Sequence, residues 1–83
     1  MKQLLIHFEG REYSIDYKEE LINDLIVYTI GINDNYLQTL CGKMFSILRK
    51  ESQTPVFWYS WSYTDNGKHL KQSITEALQA LRK

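Results

Sequence analysis

The side chains capable of acid–base, nucleophilic or metal chemistry are few and scattered. The two histidines, His7 and His69, stand far apart, and neither sits in a metal-ligand motif with Cys, His, Asp or Glu. Cys41 falls among apolar residues at helical spacing, where a thiol behaves as a small hydrophobe, and no neighbouring base marks it as a nucleophile. Glu19 and Glu20 are adjacent carboxylates, but neighbours in sequence usually point apart rather than converge on one proton. Gly42-Lys43 and Gly67-Lys68 imitate the end of a phosphate loop, yet both lack the upstream glycine and the Ser or Thr that would follow the lysine. From these residues we expect no enzyme, and assign no catalytic, cofactor-binding or metal-binding residue.

The elements that would position these groups follow from periodicity. Leu4, Ile6 and Phe8 alternate with polar or outward residues, as do Tyr13, Ile15 and Tyr17 with Glu12, Ser14 and Asp16. That period of two, interrupted by Glu9-Gly10, predicts a β-hairpin. The β-branched and aromatic run 25–32 predicts a third strand, preceded at 18–24 by a loop or a single helical turn. Over 35–50 the apolar residues Tyr36, Leu37, Leu40, Cys41, Met44, Phe45, Ile47 and Leu48 gather on one half of a helical wheel. This predicts one helix, with Asn33, Asp34 and Asn35 as candidate caps and Asn35 and Gln38 at capping-box spacing. A competing pattern stops that helix at Gly42 and makes 43–49 a strand.

Residues 56–63 alternate large aromatics with serine and read as a fourth strand, followed by a turn at Asp65-Asn66-Gly67. Leu70, Ile74, Ala77, Leu78 and Leu81 form the stripe of a last helix over 68–81. The expected fold is therefore α+β: a four-stranded, mainly antiparallel sheet in the order β-β-β-α-β-α, with both helices packed on one face.

Length and composition bound the rest. Eighty-three residues, 43% of them hydrophobic and 24% charged, suit a single domain spanning 1–83 with one core. A single cysteine allows no internal disulfide, which suits a reducing compartment and a cytoplasmic location. The apolar run near the start is about half a secretory signal core, and none reaches the roughly 20 residues of a membrane span, so no membrane role is expected.

Charge balances overall but not along the chain. Residues 1–42 carry three basic and seven acidic side chains, net −4, and residues 43–83 reverse this to +4. Arg49, Lys50, Arg82 and Lys83 would fall at the C-terminal ends of the two predicted helices, where cations oppose the dipole. Lys43, Lys68 and Lys71 would remain for a weak nucleic-acid contact. A pI of 6.7 lies well below the range above about 9 usual for such domains, which makes nucleic acid the lesser alternative.

The phase that sends Ser60 and Ser62 to water sends Phe57, Tyr59, Trp61 and Tyr63 toward the helices and leaves Val56 and Trp58 outside. Extended to the other strands, it leaves Leu5, His7, Leu25 and Val27 outside as well. If the first, third and fourth strands lie close together, Leu5, His7, Leu25, Val27, Val56 and Trp58 make one uncovered contact face. The function expected is a non-catalytic protein-interaction domain binding a protein partner or itself, as a homodimer, through that outer face.

Overall fold

The computed structural model describes residues 1–50 and 65–81, together with the backbone of 57–59. Seven elements follow in order: β1 (Lys2–Phe8), β2 (Arg11–Ile22), β3 (Leu25–Gly31), α1 (Asn35–Cys41), β4 (Met44–Lys50), β5 (Phe57–Tyr59) and α2 (Asp65–Leu81). The class is α+β, and the strands form one antiparallel sheet in spatial order β1-β2-β3-β4-β5. It holds one strand more than the expected four, because 44–50 joins it.

The opening hairpin forms as its alternation requires. Leu4, Ile6, Phe8, Ile15 and Tyr17 are buried and Tyr13 packs against them, while Leu5, His7, Glu12 and Ser14 are exposed. Glu9 and Gly10 both have positive φ, 52° and 75°, the left-handed backbone a two-residue primed turn demands. Beyond Tyr17 the expected loop or helical turn is replaced by strand. Lys18 to Ile22 continue β2 and pair with Thr29 to Leu25 across a turn at Asn23-Asp24, where Asn23 takes φ 57°. Asparagine tolerates that conformation better than other side chains with a Cβ, and so closes a second hairpin.

The long helix predicted for 35–50 ends at Cys41. Asp34 is the N-cap, its Oδ1 accepting the Leu37 amide at 3.0 Å, and Gln38 does not form a capping box but donates to the Ile32 carbonyl at 2.7 Å. Gly42 stops the helix with φ 80°, its N–H donating to the Gln38 carbonyl at 2.8 Å. The chain then reverses, Ile32 N–H donates to Lys43 O at 2.9 Å, and Met44 to Lys50 run along β3. The segment's apolar residues satisfy a period of two as well as a helical one: Phe45 and Ile47 face the helices in the rows of Ile30 and Tyr28, with Met44 and Leu48 opposite. Pairing with the free edge of β3 supplies hydrogen bonds for the whole stretch and buries Ile47 completely, which an isolated third and fourth helical turn would not. Arg49 and Lys50 consequently lie in a strand, so the dipole explanation of their charge falls away.

Asp65, Asn66 and Gly67, expected as a turn, are the first turn of α2, with the acidic Asp65 suited to that end of the dipole. Leu70, Ile74 and Leu78 are buried and Ala77 packs against the core, whereas Leu81 is 57% exposed. Both helices contribute to the same cluster as the inner residues of β1 to β4, so they share one face of the sheet. At about 25 cal/mol per Å² of apolar area, a cluster of this kind supplies the main favourable term of folding. Of the predicted strand 56–63 only 57–59 is described, and Val56, Ser60, Trp61, Ser62 and Tyr63 lie outside the described residues, as do Arg82 and Lys83.

Candidate contact surface

The helix-free face of the sheet can be built row by row from the register. At one end, Ile22, Leu25 and Lys50 lie side by side on β2 to β4. The next row is Glu20, Val27 and Leu48, followed by Lys18, Thr29 and Ser46, then Asp16, Gly31 and Met44; the backbone of β5 pairs alongside, Phe57 with Lys50 and Tyr59 with Leu48. Ile22 and Met44 are exposed, and Leu25, Val27 and Leu48 are half-buried. Among the described residues no element packs over them. Lys18 Nζ and Glu20 Oε1 pair at 2.8 Å on the flank of this strip. That hydrogen bond, reinforced by the carboxylate charge, raises the lysine's pKa above its ordinary value.

Of the six residues expected to form one contact face, the four that are described do not converge. Leu25 and Val27 are neighbours on β3 and take part in the strip. Leu5 and His7 are on the same face, Leu5 60% exposed, but β2 separates them from β3. Leu5 pairs with Ser14 whereas Val27 pairs with Glu20, so the two are offset by about 20 Å along the strands. His7 Nε2 stands 3.7 Å from Glu12 Oε2, an exposed pair that makes this end polar. Trp58 pairs with Arg49, which pairs with Ile26, so its backbone occupies the row of the helix-side residues; its side chain lies outside the described residues, as does Val56.

Ile22 and Leu48 belong to the strip but were hidden from sequence reasoning. Ile22 falls in the stretch expected as a loop or helical turn, and Leu48 in the stretch whose spacing suits a helix. The signal that could have found them was the alternation Lys18, Glu20, Ile22 and Met44, Ser46, Leu48.

The groups singled out for chemistry remain apart. Cys41 is half-buried, its Sγ donating to Leu37 O at 3.6 Å, and burial pushes its pKa up despite the opposing influence of Lys71. Lys71 lies with its ammonium 4.7 Å from the centre of the Phe45 ring, and its pKa is lowered, chiefly by burial. Among the described residues no group of three His, Cys, Asp or Glu side chains could hold a metal ion. None of the described helices is long and apolar enough to cross a membrane. No protein-family model matches the chain, and no curated protein and no solved structure matches it significantly.

Proposed function

We propose that this chain is a non-catalytic protein-interaction domain whose partner seats on the helix-free sheet face, over Ile22, Leu25, Val27 and Leu48. The observation that carries this reading is the apolar strip itself: three adjacent strands direct aliphatic side chains away from the helices, edged by Lys18, Glu20 and Lys50. Contiguous apolar area rimmed by charge suits a protein surface, where dehydration drives association and the rim sets orientation. The unpaired thiol is consistent with a cytoplasmic setting. The nucleic-acid alternative is weaker, because Lys71, one of its three lysines, directs its charge at Phe45 inside the fold.

The test is partner capture by the full chain and by Val27→Asp and Leu48→Lys. Both positions point away from the core, so circular dichroism and thermal unfolding should stay close to those of the parent. Proteins retained by the parent should be lost from both variants. Retention of the same partners by both well-folded variants would refute the assignment.

A further inference from the structure

β1 is the first strand of the sheet, and among the described residues nothing pairs with its outer edge. Which of its backbone groups are left there follows from the turn. Positive φ at Glu9 and Gly10, with Phe8 opposite Arg11, defines a two-residue hairpin whose closing pair exchanges both hydrogen bonds. Alternation then assigns Ile6, Leu4 and Lys2 to bonding with β2. Gln3, Leu5 and His7 present their N–H and C=O groups to the free edge.

The edge is lightly protected, with Lys2 at one end as its single basic residue. The strand Lys2–Phe8 has no proline, glycine or bulge, and its outward centre is the exposed Leu5. A groove of about 240 Å³ runs along it between Leu5, Ile6 and His7 on one side and Ser73, Glu76 and Ala77 of α2 on the other. Ser73 and Ala77 keep its helix wall low on either side of Glu76.

We propose that β1 pairs antiparallel with β1 of a second copy, centred on Leu5, joining two sheets into one. This is a different surface from the open-face strip, and it stands or falls independently of that strip. Only odd-numbered residues offer free groups, so a two-fold pairing must oppose odd with odd, and centring it on Leu5 gives the longest overlap of Lys2–Phe8 with its copy. Leu5 then bonds with its own counterpart and Gln3 with His7 of the copy, about six hydrogen bonds in all. On the helix side Leu4 meets Ile6, and no like charges are opposed. Lys2 is in phase with Leu4 and Ile6, so the copy's Lys2 stands opposite Phe8, next to the groove that Glu76 lines, and its long side chain can extend toward that carboxylate. Two-fold symmetry repeats this contact between opposite charges, which favours a second copy over an arbitrary extended peptide.

The test combines mass in solution with register-specific crosslinking, in a Cys41→Ser background. The parent should sediment as a dimer. Leu5→Cys should oxidise to a covalent dimer, because paired α-carbons at roughly 5.5 Å suit a disulfide. Gln3→Cys alone should not, whereas Gln3→Cys with His7→Cys should. Leu5→Pro removes an edge donor that β1 does not use within its own chain, and should shift the mass to monomer with the spectrum unchanged. Val27→Asp should leave the dimer intact. A monomeric parent would overturn the proposal, including one that instead binds an extended segment of another protein. So would crosslinking through Gln3 alone, or a dimer broken by Val27→Asp and not by Leu5→Pro.

Discussion

The two hairpins of this chain use the same device and come to opposite ends. β1 and β2 meet at Glu9-Gly10, alternate apolar with polar residues, and lie under α2. β2 and β3 meet at Asn23-Asp24, where the chain runs Lys18-Glu19-Glu20-Leu21-Ile22. Leu21 and Ile22 are adjacent, so one falls on each face, and both remain open at 71% and 51% exposure. A hairpin needs only a turn and a ladder to form, but burial needs a second layer. The helices reach the first hairpin and stop short of the tip of the second. The first hairpin and the inner residues of β3 therefore hold the fold together, while the tip of the second hairpin stays exposed.

The sharpest way to break this comparison is truncation on each side of it. Ile6 is 1% exposed, and Ile6→Ala should cost about 2–5 kcal/mol in chemical denaturation. Leu21→Ala should stay within about 0.5 kcal/mol of the parent. Equal losses would mean that the tip is as much a part of the core as the covered hairpin.

The turns provide a smaller contrast. A Cβ at Gly10 would meet nothing within 4 Å, so Gly10→Ala tests the backbone alone at φ 75°, and should destabilise by about 1–2 kcal/mol. Asn23→Gly should change stability by no more than a few tenths of a kcal/mol, because easier left-handed backbone offsets the greater freedom of the unfolded chain. Denaturation midpoints of both variants check the pair.

The smallest effect concerns the tie between the first turn and α1. Tyr36 donates its hydroxyl to Glu9 Oε2 at 2.8 Å, and that bond raises the phenol's pKa above its ordinary value of 10.0. A raised pKa means that the folded state holds the proton more tightly. The contribution is thus complete below pH 10 and is lost as pH rises through the folded value. Absorbance titration should find Tyr36 ionising late, and Glu9→Gln should bring it back toward an ordinary tyrosine.

Much of the covered region was legible from spacing. The hairpin at Glu9-Gly10 and the stripe Leu70, Ile74 and Leu78 each obey one period, because each has one buried face and one wet one. The uncovered region was less legible for the same reason. Lys18 to Ile22 is exposed throughout, so no buried face marks it as strand, and its spacing suits a loop or a single helical turn as well. The contact face was grouped from phase alone, so Leu5 was joined to Val27 although β2 runs between them.

By itself, the sequence determined the α+β class and the inner residues of the first three strands, since these rest on local backbone preference and on which side chains avoid water. Only the tertiary structure decided the fate of 44–50, whose apolar residues suit either a helix or a strand. An open edge on β3 settled the matter by offering hydrogen-bond partners that no neighbouring residues in the chain could provide. The order of strands was decided in the same way, and with it the side chains that share a surface, because lateral pairing joins residues that sequence spacing keeps apart.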